Sequence, residues 1–94
     1  MLFAERIKRL REERQLLQRQ LAAALEIDTP MYSKMERGDR RAKREQIPII
    51  AEILQANEKE LLSLWLADQI TEVVVEDKEM SETVLNIVKK TLNN

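Results

Sequence analysis

Apolar residues recur at helical spacing from the start of the chain. Phe3, Ile7 and Leu10 stand at i, i+4 and i+7, which predicts a first helix over about residues 2–14. A second group, Leu21, Ala22 and Leu25, continues this spacing after a short break and predicts a short helix over about residues 18–25.

The next segment carries the start and stop signals of a third helix. Asp28 is a good N-cap, and Pro30 lies in the first turn, where its missing N–H is harmless. Gly38, the only glycine of the chain, can adopt the left-handed conformation that ends a helix. We therefore expect a helix up to Arg37 that turns its apolar residues inward, namely Tyr32 and Met35.

Two further helices follow. Pro48 places the first turn of the fourth helix near residues 44–46, because proline inside a helix costs about 3 kcal/mol. Asn57 and Glu60 have the spacing of a capping box and open the fifth helix. The apolar residues of these helices are Ile47, Ile50, Ala51, Leu54, Leu61, Leu62, Leu64, Trp65 and Leu66.

The C-terminal third is less clearly patterned. The fifth helix can continue through Ile70 to Val74, but the valines at 73–75 also fit a short strand, and periodicity leaves both alternatives open. A last helix starts at Asp77 or Ser81. One face of it is apolar and consists of Met80, Val84, Ile87, Val88 and Leu92.

Composition supports an all-α fold and narrows the chemistry. The 94 residues suffice for one domain, and one glycine and two prolines leave little turn chemistry for sheets. There is no cysteine and no histidine, and the acidic residues at 76–82 lack the spacing of a calcium loop. We expect no metal, no cofactor and no enzymatic activity. Neither a membrane span nor a signal peptide is visible, so we expect a cytoplasmic protein.

The net charge of −1 conceals an asymmetry between the two halves. Residues 1–44 carry 12 basic and 7 acidic side chains, whereas residues 45–94 carry 4 and 10. A basic half favours a polyanionic partner, although a solvated charged surface would give the same balance.

The second and third helices are joined by only three residues, Glu26 to Asp28. Two short helices in such a tight connection are typical of the helix-turn-helix, in which the second helix enters the major groove of DNA. Other small helical bundles also contain short helices and tight turns, so spacing alone does not decide between them.

Three stretches carry a resemblance to a known family: RIKRLREERQLLQRQLA, LEIDTPMYSKMERG and IAEILQANEKEL. Over residues 3–65 the chain resembles the XRE/Cro–phage-repressor helix-turn-helix domain, and in size it is similar to restriction–modification controller proteins. The resemblance implies a five-helix lambda-repressor-like domain over residues 1–66, followed by a C-terminal helical extension over residues 67–94. It also implies a regulator that binds double-stranded DNA.

The resemblance implies roles for individual residues. Arg11 and Glu36 match a structural ion pair between the first and third helices. The base-reading positions are Thr29, Pro30, Met31, Ser33 and Lys34. The phosphate-binding positions are Gln18, Arg19, Arg37, Arg40, Arg41, Lys43 and Arg44. These residue types suit their roles, since a lysine can donate to guanine and arginines to phosphates. Each group also has a simpler interpretation. The base-reading positions could be ordinary exposed helix residues, the basic stretch a solvated loop, and the ion pair a surface pair.

The chain departs from the family pattern at three positions. Leu17 stands where Ser or Thr usually caps the second helix, and Glu26 replaces a glycine that would hold a positive φ. Ala42 replaces a proline after the basic loop, which predicts a more mobile loop. None of these changes removes a base-reading or phosphate-binding group.

A homodimer is the expected assembly, because one helix-turn-helix buries little surface on DNA and two-fold dimers read two half-sites. The predicted interface comprises Trp65, Leu66, Ile70, Val73, Val74, Met80, Val84, Ile87, Val88 and Leu92. Two alternatives stay open: an antitoxin whose acidic C-terminal half binds a toxin, and an interaction module that no longer binds DNA. No small-molecule ligand is expected, since no room is left for a sensing domain.

Overall fold

The computed structural model describes all 94 residues and contains six α-helices and two short 3₁₀ segments. The helices are α1 (Leu2–Glu13), α2 (Gln18–Leu25), α3 (Thr29–Glu36), α4 (Ile47–Leu54), α5 (Glu58–Val74) and α6 (Ser81–Leu92). The 3₁₀ segments are Arg44–Gln46, which leads into α4, and Val75–Met80, which joins α5 to α6.

The predicted all-α fold is confirmed, and the open question at residues 73–75 is settled. No strand forms, because α5 continues to Val74 and the 3₁₀ segment begins at Val75. The backbone kinks within that segment at Asp77 (φ −121°, ψ 44°), and α6 begins at Ser81 rather than at Asp77.

Helices α1 to α5 enclose one hydrophobic core. It contains most of the apolar residues named from the helical spacing, but Leu66 is 40% exposed. The side chains with at most 1% exposure are Ile7, Leu21, Tyr32, Ile47, Ile50, Leu54 and Leu61. Trp65 and Leu64 pack against this cluster while half-buried. Five short helices therefore share the burial that none of them could achieve alone.

A residue in the left-handed conformation follows each of the two helices α2 and α3. After α2, Glu26 has φ 57°, and the Ile27 N–H donates to the Ala22 carbonyl at 3.0 Å, as in a Schellman motif. After α3, Gly38 has φ 79°, and a Cβ on it would lie 3.2 Å from the Met1 side chain. A side chain at 38 would therefore be strained and would push Met1 aside, whereas glutamate holds the same type of conformation at 26.

The C-terminal part extends away from the core. No residue of α6 is buried, and this helix packs mainly against the 3₁₀ segment that precedes it. The predicted boundary after Leu66 lies inside α5, a continuous helix that still contacts α1 beyond that point.

Candidate nucleic-acid interface

The outer face of α3 consists of polar and small side chains held by a well-capped helix. The Asp28 carboxylate accepts a hydrogen bond from the Met31 N–H at 2.7 Å, which fixes the first turn. Thr29, Pro30 and Lys34 are exposed on this face. Met31 and Ser33, the other two predicted base-reading residues, are half-buried.

The inner face of α3 is tied to α1 and α2 through Glu36, whose side chain is only 2% exposed. Arg11 donates to both of its carboxylate oxygens, from Nε at 2.6 Å and from Nη2 at 3.0 Å. Gln18, the first residue of α2, donates from Nε2 to Oε1 at 3.1 Å. Arg11 also donates to the Leu16 carbonyl at 2.9 Å, so a single network joins the three helices.

The protonation of this network follows from its contacts. Burial by itself would raise the pKa of Glu36, but the hydrogen bonds from Arg11 and Gln18 and the charge of Arg11 outweigh burial and lower that pKa. The same hydrogen-bonded pairing with Glu36 raises the pKa of Arg11. Burial raises the pKa of Tyr32, whose hydroxyl has no hydrogen-bond partner within bonding distance. Glu36 is therefore a carboxylate at neutral pH.

A second polar surface follows α3 and is here called the basic loop, residues 37–44. All five of its cations are exposed: Arg37, Arg40, Arg41, Lys43 and Arg44. Arg37 donates to Asp39 at 3.1 Å and to Ser33 at 2.9 Å, whereas Arg40 takes part in no ion pair. Arg19, the remaining predicted phosphate-binding cation, is exposed on α2.

Helix α5 anchors the basic loop at its middle. Ala42 is buried, and its carbonyl accepts a hydrogen bond from Trp65 Nε1 at 2.8 Å. Next to it, Arg41 Nη2 forms an ion pair with Glu72. Ala42, which replaces the proline, is therefore an anchored position of the loop, and greater mobility of the loop stays a prediction.

A match to a family model covers residues 2–64, two-thirds of the chain, under the description "Helix-turn-helix domain". The chain belongs to this family. A search of curated proteins and a search of solved structures found no match to this chain.

Membership of this family identifies which helix would contact DNA. In a helix-turn-helix domain the second helix of the motif, here α3, enters the major groove, and its exposed face meets the base edges. Membership of this family and the exposed basic loop support a DNA-binding regulator. No helix combines the length and the apolar character needed to cross a membrane.

The helix-turn-helix domain tolerates its other departures from the family pattern by local compensation. Leu17 has no side-chain acceptor and is half exposed. Its N–H instead donates to the Gln20 side chain at 2.7 Å, which completes one half of a capping box.

Several polar residues that hold the helix-turn-helix domain together were missed by sequence reasoning. Asp68 is buried and accepts hydrogen bonds from the Leu2 and Phe3 N–H groups at 2.9 and 3.0 Å, so α5 caps the start of α1. Arg14 donates to the carbonyls of Leu54 and Gln55 at the end of α4. For the contacts made by α5, the only signal in the sequence was that Trp65, Asp68 and Glu72 lie at i, i+3 and i+7, on one face of a helix.

The predicted dimer-interface residues do not form one uniform group. Trp65 packs within its own chain, and Val74 and Val84 are half-buried. The others are 40% to 79% exposed, namely Leu66, Ile70, Val73, Met80, Ile87, Val88 and Leu92. Val75 and Leu85 were not predicted but are exposed as well.

Proposed function

We propose that the protein is a sequence-specific transcriptional regulator that binds double-stranded DNA as a homodimer on a (pseudo)palindromic operator. The observation that carries the proposal is the adjacency of two surfaces on a helix-turn-helix domain. One is the exposed face of α3 with Thr29, Pro30 and Lys34, and the other is the basic loop. As a bacterial or phage-type regulator of transcription it would act in the cytoplasm.

The two surfaces have different tasks in this proposal. On α3, Lys34 can donate to guanine O6 or N7, and Thr29 and Met31 can place methyl groups against thymine. The exposed cations of the basic loop, with Arg19 and Gln18, suit the phosphates on either side and set the position of α3 in the groove. The Glu36 network supports both tasks, because it fixes α3 against the helix that carries Gln18.

The C-terminal segment supports a dimer. Helix α6 has 12 residues, none buried, and an isolated helix of this length is marginal in water. Its apolar side chains and those of α5 at Leu66, Ile70 and Val73 therefore need a cover. A second copy supplies the same surface in return and at the same time brings a second α3 to the DNA.

Selection of bound sites from random duplex DNA tests the proposal. We expect an enriched sequence made of two inverted half-sites whose centres lie about 34 Å, one helical turn, apart or a multiple of this. A single half-site would contradict the homodimer, and no enrichment over random DNA would contradict sequence-specific binding.

A further inference from the structure

Helix α5 contacts the basic loop at two neighbouring residues in different ways. Trp65 donates to the main-chain carbonyl of Ala42, which is buried, and Glu72 pairs with the side chain of Arg41. The two contacting residues are seven positions apart, so they lie on the same face of α5. The first contact fixes the backbone of the loop, and the second occupies a cation that the loop presents to solvent.

We propose that Glu72 competes with DNA for Arg41 and so lowers the affinity of the protein for duplex DNA. The inference rests on the proposed function, in which Arg41 binds a phosphate. In the free protein the Glu72 carboxylate holds the guanidinium group, and on binding a DNA phosphate takes its place.

The chemistry of the two acceptors supports an exchange. A carboxylate and a phosphate both offer a pair of anionic oxygens to a guanidinium group, so they suit the same donors. The side chains of Arg41 and Glu72 are 43% and 52% exposed, and solvated ion pairs of this kind are weak. The pair can therefore open without disturbing the core.

The alternative role for Glu72 would be to position Arg41 for DNA. The anchor at Ala42 argues against this role, because the buried alanine and the Trp65 hydrogen bond already fix the adjacent backbone. A second contact from α5 is therefore not needed to order the loop, and the negative charge of Glu72 beside the loop opposes the approach of phosphates.

Binding of the full-length protein to a random-sequence duplex tests the inference, with the variants Glu72→Gln, Arg41→Ala and the double variant. Glu72→Gln should tighten binding by about two- to fivefold per subunit, which corresponds to the strength of an exposed ion pair, and the two gains multiply in the proposed dimer. The change should also steepen the dependence of log K on log salt, since one more cation per subunit is free for phosphate. In the Arg41→Ala background the same change should have little effect.

Glu76→Gln is the matched control, because it removes one exposed acidic charge one turn further along and Glu76 forms no ion pair. Equal tightening by both single variants would overturn the inference in favour of a general charge effect. Weaker binding by Glu72→Gln would overturn it in favour of positioning, and an unchanged affinity would overturn it as well. Thermal unfolding of each variant checks that the fold is kept.

The same measurements separate this inference from the proposed function. If the unmodified protein binds DNA and Arg41→Ala weakens binding, the proposed phosphate contact stands whatever Glu72→Gln does. If Arg41→Ala leaves affinity unchanged, the contact at Arg41 and the inference both fail. If no variant binds any duplex, the proposed function fails with them.

Discussion

Glu36 links α3 to α1 and α2 through hydrogen bonds. Its carboxylate is nearly inaccessible and receives three hydrogen bonds from α1 and α2. A buried carboxylate is stable only when it is paired, and loss of its charge would leave Arg11 with a much weaker acceptor in a position that is only 13% exposed. The same residue thus serves both stability and the placement of Gln18.

We predict that Glu36→Gln destabilises the protein by about 3 kcal/mol at pH 7, because one partner of a buried ion pair is removed. The pKa of Glu36 is lowered by folding from an ordinary value of 4.5. Its contribution to stability is therefore present above about pH 4.5 and is lost as the pH falls through the lower pKa of the folded state. Urea titrations from pH 7 to pH 3 should show the difference between variant and unmodified protein shrinking with acidity; a constant difference would contradict the prediction.

Glu26 holds a backbone conformation that glycine adopts more easily. At φ 57° an L-residue is sterically strained, whereas glycine is not strained but loses more conformational entropy on folding. We predict that Glu26→Gly changes stability between neutral and a gain of about 1 kcal/mol.

Ala24→Gly is the control for Glu26→Gly, since Ala24 is exposed and lies within α2. There glycine should cost about 1 kcal/mol, because the backbone is ordinary α-helix. Denaturant titration measures both, and a similar loss in the two variants would mean that the left-handed backbone at 26 carries no strain.

At the scale of elements, α3 and the basic loop are adjacent but chemically different. The exposed face of α3 mixes hydroxyl, apolar and amine groups, which can distinguish bases, whereas the loop offers five cations beside a single acid, Asp39. Specificity and general affinity should therefore respond to different substitutions.

We predict that Lys34→Ala relaxes the preference at one base position of each half-site, a discrimination worth about 1–3 kcal/mol when the contact is well made. Arg40→Ala should weaken binding to operator and random duplex alike, because Arg40 is exposed, forms no ion pair and would meet a phosphate. For a dimer it should make the slope of log K against log salt shallower by about 2.

Each of these two variants is the control for the other. Affinities for operator, single-base variants of it and random duplex, measured over a range of salt, decide the matter. An equal loss on operator and random DNA for Lys34→Ala would show that this lysine binds phosphate rather than a base.

At the scale of the whole molecule, the chain has a compact part and an extended part. Helices α1 to α5 bury the core, and α6 contributes no buried residue, which is reflected in dimensions of 42 × 26 × 22 Å. The exposed apolar face of α6 is expected to be covered in the working assembly.

We predict that the unmodified full-length protein is a dimer and that Val88→Asp makes it a monomer, because Val88 lies on the apolar face of α6 and a buried unpaired carboxylate is costly. Asn86→Asp is the control, since it adds the same charge to an exposed polar position of the same helix. Sedimentation equilibrium should show a dimer for the unmodified protein and for Asn86→Asp. A monomer in all three cases would leave α6 for another partner, as in the antitoxin alternative.

The scale of an interaction also decides whether sequence could predict it. The helices, their caps at Asp28 and Asn57 and the core positions follow from spacing and from contacts within a few residues, so the pattern of the chain sufficed for them. The same holds for the turn at Gly38, where the left-handed backbone (φ 79°) favours glycine.

Tertiary structure alone decided the contacts that α5 makes with residues distant in the chain. Asp68 caps α1 across 66 positions, and Arg41 meets Glu72 across 31. Such pairings depend on the angle and register at which α5 packs on α1, which no local pattern encodes. Tertiary structure also decided between helix and strand at residues 73–75, because valines fit both and no neighbouring strand is present to pair with them.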